Sequence, residues 1–139
     1  MSWLYENQKI EVLPEDCVGF VYLITNNLTG RKYVGKKLSK FSKTSYRVVK
    51  LKNGKKKRKK IKSKIDSDWQ QYYGSNIELK ADVERLGVDK FSREILKYCK
   101  SKTELSYYEA KLQFEYDVLL NEDKWYNGWI SVKVRRFKQ

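Results

Sequence analysis

The chain has 139 residues, 35% of them charged, with 31 Lys and Arg against 17 Asp and Glu, a formal net charge of +14 and a pI near 9.7. That length holds one domain with a small core, and the charge favours a polyanion such as nucleic acid, because basic side chains release condensed counterions from phosphates. Histidine is absent, which excludes histidine-activated nucleophiles, histidine-containing zinc sites and the usual neutral-pH general base; with no apolar run of transmembrane length and no signal-peptide pattern, the expected location is cytoplasmic, with no membrane partner.

Residues 1–18 carry Trp3, Leu4, Tyr5, Ile10, Val12 and Leu13 ahead of Pro14. They read as an N-terminal arm that packs an aromatic or two onto a single domain spanning 19–139. Cys17 and Cys99 lack paired metal-ligand spacing and are read as reduced thiols.

Residues 19–36, GFVYLITNNLTGRKYVGK, read as a β-hairpin. Phe20 to Ile24 is a β-branched and aromatic run, Asn26, Asn27 and Gly30 supply turn residues, and Lys32 to Lys36 resume an extended pattern. A four-residue loop, Asn27 to Gly30, places Tyr22 and Tyr33 on one face, because side chains alternate with period two. Gly35 shares that face and leaves it bare, so that a ligand can approach between the phenols.

Residues 37–49 lack clean periodicity. From Lys50 to Lys64 follow ten basic residues and no acid. Asn53-Gly54 predicts a tight turn between Tyr46–Lys52 and Lys55–Ile61, so the stretch about 44–65 reads as an inserted basic hairpin. Its Lys52, Lys55, Lys56, Lys57, Arg58, Lys59 and Lys60 are expected to grip phosphate backbone without reading bases.

Ser67 and Asp68 precede a short helix ending at Gly74. Ser75 and Glu78 form a capping box for a helix with Leu79, Val83 and Leu86 on one face and Gly87 as terminator. Phe91 to Cys99 predicts a third strand, with Ile95 and Leu96 on opposite faces. Ser101 and Glu104 cap a helix running to about Leu120, with the stripe Leu105, Tyr108, Leu112, Tyr116 and Leu119. Glu109 lies within that stripe and points toward the domain, where a carboxylate needs a cation, hydrogen bonds or a metal. The expected fold is therefore α/β in content, of the α+β kind: a small three-stranded, mainly antiparallel sheet flanked by helices, with the basic hairpin inserted.

FVY, ten residues, then YVG, with flanking ITN and TG, resembles the paired signature of the GIY-YIG nuclease superfamily, and in size the small stand-alone phage-type homing or Seg-like endonucleases. Phe20 stands where the first glycine of the pattern is usual, and Gly19 sits one residue earlier. The resemblance covers roughly 19–36 and 74–130, and implies a DNA endonuclease that hydrolyses phosphodiesters. It implies Glu109 as the protein ligand of one divalent ion, Mg²⁺ or another such as Mn²⁺, and it matches Asn127, in WYNGWI, to the family asparagine. The tyrosines Tyr22 and Tyr33 would orient and help deprotonate water, with Gly35 leaving room. The family arginine on a helix after YIG has no obvious counterpart; Arg47 is the nearest arginine, Lys36, Lys37 and Lys43 are alternatives, and Lys37 shares the face of Tyr33 and Gly35. Double-stranded DNA is the expected partner, the protein a monomer or homodimer, acting in a host cytoplasm if phage-encoded.

Two other classes remain open on sequence: a non-catalytic basic nucleic-acid-binding protein on the same fold, and an interaction protein presenting the basic hairpin to an acidic partner. Plasmid DNA incubated with Mg²⁺, with and without chelator, separates them from a nuclease.

Overall fold

A computed structural model describes residues 2–139. Its sheet grows from the expected hairpin. Strand β3 (Gly19–Asn26) pairs antiparallel with β4 (Lys32–Leu38), placing Tyr22 opposite Gly35 and Ile24 opposite Tyr33. The loop between them is the four-residue one: the Asn26 N–H reaches the Arg31 carbonyl, the Asn26 side chain accepts from Leu28 and Thr29, and Gly30 takes φ +79°. The strand Phe91–Cys99, numbered β7, pairs antiparallel with the other edge of β3. Ile95 and Leu96 face opposite cores by ordinary strand alternation, and a register shift between Val21 and Tyr22 leaves Leu96 without a strand partner.

The sheet has five strands, not three. The arm folds into β1 (Trp3–Tyr5) and β2 (Gln8–Ile10), joined at Glu6 and Asn7, both with positive φ, as a two-residue hairpin turn requires. β1 runs parallel to β7, giving the order β2-β1-β7-β3-β4. The Trp3 indole is sunk into the core, donates to the Trp69 carbonyl at 2.7 Å and meets Phe20 and Tyr22 edge-on.

Each face of the sheet carries one helix. On the Tyr22 face, α1 (Ile77–Leu86) packs Leu79 onto Phe20, Ile24 and Phe91. Its cap is Asn76 rather than Ser75: the Asn76 amide accepts from the Leu79 N–H at 3.0 Å and donates to the Tyr126 carbonyl. Glu78 is thereby free to pair with Arg31. The short helix before Gly74 is a single 3-10 turn, Trp69–Gln71. On the opposite face, α2 (Lys102–Glu115) packs Leu105 against Val21, Val34 and Cys99, with Ser101 as its cap as expected. It ends before Leu120 because Asp117 takes φ +54°, and the chain reverses to bury Val118. Tyr116 and Leu119 of the expected stripe consequently lie outside it, exposed. Both thiols are free and buried, and burial pushes Cys17 up and Cys99 to about 12, so neither is a nucleophile at neutral pH.

The inserted hairpin is longer than the sequence suggested. β5 (Lys40–Lys50) and β6 (Lys56–Asp66) pair along their whole length, and the turn is a three-residue loop ending at Gly54, φ +82°. Its two legs are clasped where they leave the sheet. The Ser67 N–H donates to the Ser39 carbonyl and its hydroxyl to the Leu38 carbonyl, while the Ser39 hydroxyl holds the Cys17 carbonyl.

Candidate active site

β4 is the free edge of the sheet, and its outward-pointing peptide groups are satisfied one after another. The segment after α2 runs alongside: the Lys32 N–H donates to the Lys124 carbonyl and the Tyr126 N–H to the Lys32 carbonyl. Two residues on, the Asn127 side chain replaces a backbone partner. Its oxygen accepts from the Val34 N–H at 3.1 Å and its nitrogen donates to the Val34 carbonyl at 2.9 Å, where Gln113 of α2 also donates. At Lys36 the edge turns to Glu109, whose carboxylate is eased by the Lys36 peptide N–H and lies 3.9 Å from the Lys36 ammonium.

At this gap opens a cavity of about 730 Å³ lined by Tyr33, Lys36, Ser75, Glu109, Gln113 and Asn127, with Trp129 and Ile77 exposed at its mouth. Tyr33 arrives from the α1 face of the sheet and Glu109 from the α2 face; the edge of β4 is where both reach one space. The Tyr33 hydroxyl lies 3.3 Å from the Ser75 hydroxyl. Lys36 is held at 2.9 Å by Ser106 Oγ, one turn before Glu109 on α2.

Burial dominates the electrostatics. It raises the Glu109 carboxyl against a partial offset from Lys36. It raises the Tyr33 phenol, with Ser75 opposing and the Glu109 charge adding. Tyr22 is fully buried and its phenol is pushed far up, by burial first and by neighbouring Tyr72 and Tyr33 next. The Tyr72 hydroxyl comes close enough to disfavour a Tyr22 phenolate but not in hydrogen-bonding geometry, so the Tyr22 hydroxyl has no partner among the described residues. It lies against Gly35, where a Cβ would fall 2.5 Å from it and 2.8 Å from the Tyr33 ring. Gly35 is thus required by the phenol pair itself, at a backbone conformation any residue could take.

Two expected cations are elsewhere. Lys37 does share the strand face of Tyr33 and Gly35, but its ammonium is bound to Asp68 at 2.6 Å and sits 4.1 Å over the Tyr72 ring, outside the cavity. Arg47 projects from the middle of β5 opposite Lys59, because residues 40–50 form a strand rather than a helix. Neither offsets the raised phenols of Tyr22 and Tyr33. The cation beside the carboxylate is Lys36, which strand parity sets on the face opposite Tyr33; a site at a sheet edge draws on both faces. Gln113 was also legible in principle, one helical turn after Glu109. Of the basic residues expected to meet DNA, Lys52 lies in the hairpin loop and Lys55 closes it, Lys56, Arg58 and Lys60 share one face of β6, and Lys57 and Lys59 the other.

A family model described as "Putative endonuclease segE, GIY-YIG domain" matches residues 3–130. The chain belongs to the GIY-YIG nuclease superfamily, among its Seg-like endonucleases. No curated protein and no solved structure matches it. The match begins at Trp3, so it takes in β1 and β2 as well as the basic hairpin. Membership carries phosphodiester hydrolysis of DNA as the activity of this domain.

GIY-YIG nucleases generally use divalent ions. Among the described residues no three of His, Cys, Asp and Glu cluster. Glu109 nevertheless fits such an ion. Its side chain is only 15% exposed, its one cation stands at 3.9 Å, and the cavity before it has room for water and phosphate oxygens, the donor set by which Mg²⁺ is bound through one or two carboxylates.

Proposed function

We propose that the protein is a Mg²⁺- or Mn²⁺-dependent endonuclease cutting double-stranded DNA, with its active centre in the cavity at the β4 edge. The observation that carries this is the meeting of Tyr33, Lys36, Glu109 and Asn127 around one cavity with ample room for a phosphodiester. Glu109 would hold the ion. The ion supplies Lewis-acid stabilisation of charge developing on the phosphate.

The chain's own residues supply the rest. The water oxygen attacks phosphorus, the bond to the 3′ oxygen breaks, and that oxygen takes up a proton. Tyr33, kept as a neutral phenol at pH 7 by its surroundings, orients the water through its hydroxyl. Only its minor phenolate fraction accepts the water's proton. Lys36, pinned by Ser106, places a positive charge beside the phosphate. Asn127 and Gln113 fix the Val34 peptide, and with it the spacing between Tyr33 and Gly35. The basic hairpin would hold flanking phosphates, and the biological role in this reading is that of a phage homing endonuclease acting in a host cytoplasm.

Glu109→Ala tests the reading: cleavage of plasmid DNA in Mg²⁺ is expected to disappear while binding in chelator persists. Undiminished cleavage would remove Glu109 from the mechanism. Cleavage absent from the wild type as well, with binding intact, would favour the non-catalytic binder.

A further inference from the structure

The register of the β5–β6 hairpin separates its side chains into two unlike faces. One carries Phe41, Val49, Ile61 and Ile65 among its charges, and Val49 and Ile61 are the only half-buried residues of either strand. The other is exposed throughout, and its two strands differ. From β6 come Lys56, Arg58, Lys60, Lys62 and Lys64, five cations at successive alternate positions, with Asp66 after them at the root. From β5 come Ser42, Thr44, Tyr46 and Val48, an uncharged row between Lys40 and Lys50 at the ends. The Arg58 guanidinium over the Tyr46 ring, at 4.6 Å, joins the two rows.

Among the described residues no other element packs substantially against this hairpin, and a two-stranded ribbon alone is marginal in water, so a partner is needed to hold it in one shape. Alternate residues on a strand stand about 6.7 Å apart, close to the separation of successive phosphates along one DNA strand. Eleven residues extend about 36 Å, near one turn of duplex, and the major groove admits a two-stranded ribbon.

Resting on the DNA reading above, we propose that this face lies in the major groove of B-form DNA and that its two strands divide the work. The β6 row follows the phosphates of one strand. The β5 row, Ser42, Thr44, Tyr46 and Val48, faces the base edges: the hydroxyls hydrogen-bond them, and Val48 meets the thymine methyl. The hairpin therefore selects sequence as well as gripping backbone, which goes beyond the phosphate-only role expected from its composition.

The test is binding without cleavage, in chelator, by the full-length Glu109→Gln chain on a randomised duplex library and on the duplex it selects. Thr44→Val with Tyr46→Ala is expected to reduce the preference for the selected duplex on the order of tenfold while leaving the salt dependence of binding unchanged. Lys60→Gln with Lys62→Gln is expected to make the slope of log K against log[salt] shallower by about 2 with the same preferred sequence. Circular dichroism of each variant checks that the domain is intact. No preference in the parent chain, equal affinity for single-stranded DNA, or binding indifferent to both pairs of substitutions would overturn the proposal. Because no step requires catalysis, a selected sequence bound by a chain whose wild type does not cleave would uphold the hairpin and sink the nuclease reading instead.

Discussion

Tyr22 and Glu109 are both held in states that the fold itself disfavours. The Tyr22 hydroxyl is buried without a partner among the described residues, a condition that costs about 1–3 kcal/mol, so Tyr22→Phe is expected to leave stability unchanged or raise it by about 1 kcal/mol. If the hydroxyl serves catalysis, cleavage falls while denaturant midpoints do not; equal cleavage would reduce Tyr22 to a core residue. Glu109 follows the same logic through its charge. Its folded pKa lies above its unfolded value, so ionisation is harder in the native state. The stability it contributes is full below the ordinary glutamate value of 4.5 and is lost as pH rises through the raised value. Glu109→Gln is therefore expected to melt higher than wild type at pH 7 in chelator and to match it at low pH, while abolishing cleavage. The raised Tyr33 phenol gives the rate its pH dependence: with no histidine to titrate, cleavage is expected to climb through pH 7–9, and an optimum near pH 6 would exclude Tyr33 as the proton acceptor.

At the scale of the element, the β4 edge decides how the site is assembled. Asn127→Ala strands the buried Val34 N–H and one bond to its carbonyl. A loss of about 1–3 kcal/mol is expected by thermal melting, together with weakened cleavage at saturating DNA. Gly35→Ala drives a methyl into two aromatic rings at a cost of about 1–3 kcal/mol, and is expected to displace both phenols; a stable, fully active Gly35→Ala protein would contradict the packing described. The pairing of Tyr22 with Gly35 and Ile24 with Tyr33 was legible in the sequence, because loop length and parity fix a hairpin's register. Lys36 stood there only as one alternative cation behind Lys37, since parity ranks residues by face whereas this cavity opens past the end of a face. Arg47, the nearest arginine in the sequence, already lay in an expected hairpin leg, and that leg leaves the sheet rather than lining the cavity.

For the molecule as a whole, α1, α2 and three central strands followed from caps, glycines and alternation, although α1 is capped by Asn76 rather than Ser75, α2 stops short of Leu120, and Asp68 caps nothing ahead of a single 3-10 turn. β1 and β2 did not, because Glu6 and Asn7 are not a standard positive-φ pair and because a parallel partner 90 residues away, Trp3 opposite Arg93, leaves no local mark. Trp3 nonetheless closes the α1-side core. Trp3→Ala is expected to destabilise by about 3–5 kcal/mol, measurable in urea. The serine clasp at Ser39 and Ser67 has a different consequence. It brings both ends of a 27-residue excursion, Lys40–Asp66, out through one narrow root, so the catalytic scaffold and its outrigger are mechanically separable. Bridging that root with a short turn should yield a smaller protein that melts as a cooperative unit, and grafting a foreign ribbon there should retarget the same cutting machinery.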